Sequence, residues 1–457
     1  MIARNVFVRP RVARHAAQGW ARGPWAAALA TLLLSAPAGA GAETLALVGG
    51  TVHTVSGPTL EGATVVVENG KIAAIGIGVA PPAGAEVISC VGKHVYPGLI
   101  SSNSVLGLTE ISSVRGTNDY QETGDVNPNI RAEVAINPES DLLAVARVNG
   151  VTSAVVLPRG GAIAGTAALI HLDGWTYEDM TLKAPLGLYV QWPSMTPARS
   201  FFERRSEEEQ KKARDQAVES IRNAFNDARS YWKARNAEGG TGIPRHDRDV
   251  KWEAMGKALR GEIPVMFQAS ALSQIRAVLK FVDEQKLVNV VLVGASDAWR
   301  VAEELKARNV AVIAGPLLAL PARRYESYDE AYTLPAKLEV AGVRFCISDG
   351  GGAFEAMNAR NIGYLAAMVA AFGLPKDEAL KSVTLYPAQI LGVADRLGSI
   401  EEGKIADLVV ADGDPLEITT RVEQVLIGGK PVSMETRHTR LFAKYDGKPR
   451  GPKARKR

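Results

Sequence analysis

An α/β architecture, a (β/α)8 barrel with a small β-sandwich made from both chain ends, is predicted by three features of the sequence. Through the middle of the chain, apolar strand-like runs alternate with helical ones, the order that builds a parallel sheet. Before and after that region the pattern is strand alone. The 457 residues, 46% hydrophobic and 22% charged, have ordinary globular composition. They exclude a collagen-like, disulfide-stapled or wholly disordered chain.

Residues 1–42 read as a signal peptide. They carry five arginines and no acid. The apolar run Trp25–Leu34 is too short to span a bilayer, and Ala40-Gly41-Ala42 supplies small residues for cleavage before Glu43. No adjacent arginine pair precedes the run and no cysteine follows it, which argues against twin-arginine export and lipid anchoring. A second run of membrane-spanning length is absent from the sequence. The expected location is periplasmic or secreted.

Residues 43–96 form the first part of the β-sandwich. Asn69-Gly70 between two β-branched runs is a strong hairpin signal. The barrel follows over 97–396, with strands expected at Thr152–Leu157, Leu186–Val190, Pro264–Phe267, Val288–Val293, Val310–Ile313 and Val343–Ile347. Helices are expected near 206–236, 251–260, 271–286, 297–308, 355–372 and 377–391. The charged run opening the first of these, from Arg204, reads as a solvated helix face. Residues 397–435 complete the sandwich, with Gly428-Gly429 as a second turn, and 436–457 are a basic tail. Cys90 and Cys346 sit in separate apolar runs and are expected as buried thiols rather than a bridge.

The formal charge is +4, but the last ten residues carry six Lys/Arg and no acid. Without the two basic ends, the body between them stands at −7. Nucleic acid is thereby disfavoured as a partner, since phosphate recognition needs positive charge on the fold itself.

Five segments stand out: GGTVHT at 49–54, NGKIAAIG from Asn69, YPGLI at 96–100, the long run from Val383 to Leu416 (VTLYPAQILGVADRLGSIEEGKIADLVVADGDPL) and VEQVLIGGKPV from Val422. Together they resemble the metal-dependent amidohydrolase superfamily, in its imidazolonepropionase-related branch. The resemblance spans about 45 to 435. It implies the same barrel and sandwich, a zinc held by histidines, and hydrolysis of C–N bonds.

The residues at the implied ligand positions differ. Family members follow PGLI with Asp-x-His-x-His, a spacing that points two imidazoles the same way along a strand. Here Asn103 and Val105 stand at those histidines. Gln268 stands at the fifth-strand histidine and Gly294 at the sixth. Asp349 alone is retained, the acid that in the family binds metal and serves as general base. A catalytic zinc needs about three His, Cys or carboxylate ligands, so no cofactor and no metal ligand set is expected. Ser102, Ser104, Ser348 and Cys346 are possible nucleophiles near the barrel mouth, but no His-bearing motif supplies a base.

Candidate site residues are therefore Asp349 as the catalytic candidate, and Asn103, Gln268, Arg159, Arg131 and His171 as pocket residues. The loop from Gly107 to Ser140 and the Pro158–Gly161 turn are expected at the barrel mouth, with Arg159 or Arg131 as a fork for a carboxylate or peptide ligand. The function expected is a non-catalytic binding or partner subunit. Its partners would be a small amide or peptide-like ligand, an intact amidohydrolase paralogue or a second copy. The alternative is a hydrolase of amides, cyclic amides or small peptides with an altered, metal-poor site.

Overall fold

Two eight-stranded sheets organise the chain, in a computed structural model that describes residues 44–198, 203–238, 240, 245 and 247–448. The signal segment, His15, His246 and residues 449–457 of the basic tail lie outside the described residues.

The first sheet contains β1 (Thr44–His53), β2 (Thr59–Glu68), β3 (Lys71–Ile77), β4 (Glu86–Ser89) and β5 (His94–Pro97) from one end of the chain. The barrel strands come next: β6 (Leu99–Ser104), β7 (Val151–Val156), β8 (Ile163–His171), β9 (Thr181–Gln191), β10 (Val265–Ala269), β11 (Val290–Gly294), β12 (Ala311–Ala314) and β13 (Phe345–Ile347). From the other end, β14 (Leu408–Ala411), β15 (Val422–Ile427) and β16 (Lys430–Pro431) return to the first sheet. Its order is β16-β15-β14-β5-β1-β2-β3, with β4 on β1, so the two chain ends meet where Val409 of β14 opposes Tyr96 of β5. The expected hairpin is present. Asn69 and Gly70 take φ of 52° and 78°, the left-handed pair that joins twisted strands in a two-residue loop.

The second sheet runs β13 to β6 in sequence-neighbour order, and its two ends are linked. Ser102 Oγ on β6 donates to the carbonyl of Ile347 on β13 at 2.8 Å. The result is a nearly closed eight-stranded barrel, as the alternating pattern predicts. One strand departs from it. β8 pairs antiparallel with both β7 and β9, where the sequence reading expects only parallel strands separated by helices. The reason is local. Gly160 and Gly161 adopt φ of 86° and 72° and turn the chain straight back, so the crossover helix that a parallel neighbour requires is missing.

Buried aliphatic side chains fill the barrel and the layer between it and its helices, with Phe225, Phe267, Phe281 and Trp192 packed edge-on. The helix Glu207–Ala237 carries its charged run outward and buries only Ile221, Ala224, Phe225 and Ala228. A helix at Glu330–Ala341 lies outside the expected set; Pro335 within it masks the helical pattern. Cys90 and Cys346 are buried free thiols, and burial pushes them up to about 11 and about 12.

Candidate functional site

In barrels of this kind the strands' C-terminal ends build the working face. Asn103 stands at the end of β6, Arg159 just after β7, Tyr189 late in β9, Gln268 late in β10, Gly294 at the end of β11 and Asp349 two residues past β13. Asn103 and Tyr189 are fully buried. A strand directs alternate residues to the same side, so the barrel gathers these groups at its mouth.

The centre of this gathering is a guanidinium. Arg159 Nη2 donates to Asn103 Oδ1 at 2.7 Å and to the carbonyl of Gly351 at 2.6 Å. Its Nη1 donates to the Tyr189 hydroxyl. Tyr189 passes the chain on, donating to Gln268 Oε1 at 2.8 Å. The guanidinium carbon lies 5.0 Å from the centre of the Tyr189 ring, within cation–π range. One cation thus joins Asn103 directly, and Gln268 through one phenol.

Two glycines make room for it. A Cβ on Gly351 would lie 2.2 Å from Asn103 Oδ1 and 2.5 Å from Arg159 Nη2. Its φ of 76° also favours glycine. A Cβ on Gly294 would lie 2.8 Å from Gln268 Nε2 and 2.6 Å from Ser270 Oγ. No longer side chain fits at 294 while Gln268 keeps this position.

Asp349 is buried beside this network but outside it. Neither carboxylate oxygen has a hydrogen-bond partner among the described residues. Asn103 and Gln268 are turned away from it, to Arg159 and Tyr189. Burial raises the Asp349 carboxyl to about 7, with Glu355 adding repulsion and Arg159 acting the other way.

The remaining candidates are elsewhere. His171 lies at the opposite end of the barrel. Because β8 runs antiparallel, its last residue pairs with Ser153 near the start of β7, and Nε2 sits 3.0 Å from Asp407 Oδ2. Arg131 lies on the long loop, with an exposed side chain whose Nε meets Glu133 Oε1 at 2.7 Å. That loop straps across the mouth, with the Arg159 amide bonded to the Tyr120 carbonyl. It walls a cleft of about 430 Å³ lined by Asp119, Tyr120, Glu122, Asn129, Arg131 and Pro158. Arg159 itself is spent inside the barrel, so of the two expected forks only Arg131 faces the cleft. Tyr189 and Gly351 lie outside the residues that the sequence marks as candidates. A lone phenol in an otherwise aliphatic strand run, and the second glycine of Ser-Asp-Gly-Gly-Gly, are the signals that point to them.

The donor set does not fit a catalytic zinc. Among the described residues no group of three or more His, Cys, Asp or Glu is placed to hold a metal ion. Val105 is core, and a guanidinium, which has no lone pair and does not deprotonate, occupies the acceptors of Asn103.

A nearly closed α/β barrel, with a second sheet built from both chain ends and polar groups at the strand ends, defines the TIM-like barrel class. The chain is similar to members of the amidohydrolase superfamily. Residues 272–432 match the amidohydrolase family. An amidohydrolase from Thermotoga maritima MSB8 superposes with a TM-score of 0.74 at 26% identity, covering 85% of this chain and 99% of that one. "Amidohydrolase tasK" of Hapsidospora irregularis is 28% identical over 407 residues, 79% of this chain; the match spans only 39% of that protein's length. An imidazolonepropionase of Erwinia tasmaniensis is 55% identical over 38 residues, 8% of this chain and 9% of its own.

Proposed function

We propose that this chain is an exported amidohydrolase-family protein that binds a ligand or partner without hydrolysing it. The observation that carries the proposal is the Arg159 guanidinium, which holds Asn103 and, through Tyr189, Gln268. These are the positions where the family resemblance implies metal-binding histidines. A fixed internal cation there supplies positive charge and cross-links strands. It cannot coordinate and acidify a water as a metal ion does, and it repels a divalent ion. The ligand class supported by the cleft is a small amide or peptide-like molecule, with Arg131 and the carboxylates of Asp119 and Glu122 at its wall. Partners of the same fold, an intact paralogue or a second copy, suit a family member without the donor set. Export rests on the arginine-rich leader and the Ala-Gly-Ala site; intact mass of protein recovered from the periplasm should begin at Glu43.

A specific observation favours a second reading, hydrolysis of C–N bonds at a metal-poor site. Asp349 is retained at the barrel mouth, and its raised carboxyl is in the range of a general base near neutrality. Elemental analysis after zinc loading, with turnover measured on an amide and dipeptide panel, separates the two. The binding reading expects no stoichiometric zinc and no turnover. Near one zinc per chain, or turnover abolished by Asp349→Ala, would establish the hydrolase.

A further inference from the structure

The C-terminal helix Arg437–Asp446 is amphipathic, yet none of its residues is buried. Leu441, Phe442 and Tyr445 are 37%, 73% and 62% exposed. At about 100° per residue, these three and His438 share one face, while Arg437, Arg440 and Lys444 line its flank. Thr436 caps the helix through the Thr439 amide at 3.2 Å. Its polar ties to other segments are slight, such as Arg437 to Asp141 at 3.4 Å. The sequence beyond adds six Lys/Arg from Lys448 to Arg457. Packing against its own barrel therefore does not explain this helix.

We infer that the helix is an interfacial anchor for an anionic lipid bilayer. A short, mostly polar helix with large apolar side chains on one face and cations beside them matches the physics of a helix lying in a headgroup layer. Its apolar face enters the acyl boundary and its Lys/Arg meet lipid charge. The charges disfavour a second copy, because two such helices face to face would bring like charges together. The acidic body, at −7 without the basic ends, is repelled by such a surface. The helix and its basic extension thus form a local tether.

The experiment is co-sedimentation of the whole chain with vesicles of phosphatidylcholine alone, or of phosphatidylcholine mixed with phosphatidylglycerol. Wild type should bind the anionic vesicles and release them as salt rises. Phe442→Asp with Tyr445→Asp should weaken that binding by about tenfold or more, and so should Arg440→Glu with Lys444→Glu. Because no side chain of the helix is buried, both variants should keep the wild-type melting temperature. Variants that bind like wild type would assign any lipid binding to another segment and overturn the inference. Equal binding to both vesicles, no binding, or self-association lost in the apolar variant would overturn it as well.

Discussion

Arg159 Nη2 lies 2.7 Å from Asn103 Oδ1, tying the turn after the second barrel strand to the end of the first. The same guanidinium bonds Tyr189 on the strand two places further round. It pins three chain segments with one charge. Arg159→Ala should cost about 3 kcal/mol, the usual penalty for breaking a buried charged network from one side. Arg159→Lys should recover only part of this, since an ammonium lacks the planar fork. Denaturant melts check both, and a double-mutant cycle with Tyr189→Phe should show coupling.

Asp349 gives the stability a definite pH dependence. The folded carboxyl titrates at about 7 against an ordinary value of 3.8. Between those values the folded state holds a proton that the unfolded chain has released. Stability therefore falls as pH rises through this window and levels off above about 7. Asp349→Asn should flatten the slope. The variant should exceed wild type near pH 8, by no more than about 4 kcal/mol, and match it near pH 4. Thermal melts across that range are the measurement.

Gly351 is the tightest point of the site. A methyl group there would collide with Asn103 and Arg159 on a backbone of positive φ. Gly351→Ala should lose about 2 kcal/mol or more. If it melts like wild type, the loop over Arg159 is not held as described.

His171 and Asp407 join the barrel to the first sheet. Asp407 Oδ1 also accepts from the Gly428 amide at 2.8 Å. Asp407→Ala should cost about 2 kcal/mol, because it strands a half-buried amide as well as the imidazole. His171→Ala should cost less, about 1 kcal/mol. Neither should alter ligand binding at the barrel mouth, which titration calorimetry would test once a ligand is found.

The sequence by itself determined the fold class, the sharing of the first sheet between the chain ends, and the residue types at the implied ligand positions. Each is written in local terms. Alternation of strand and helix implies a barrel, Asn69-Gly70 and Gly428-Gly429 specify two-residue turns, and residue type alone bars Val105 and Gly294 from coordination. Only the tertiary structure decided where the polar residues point. Arg159 reads equally well as a mouth-facing fork or an internal cation. The choice rests on partners 56 and 30 residues away, which no local pattern encodes. His171 shows the same dependence. Its side chain is unremarkable in sequence, and one reversed strand moved it from the mouth of the barrel to its base.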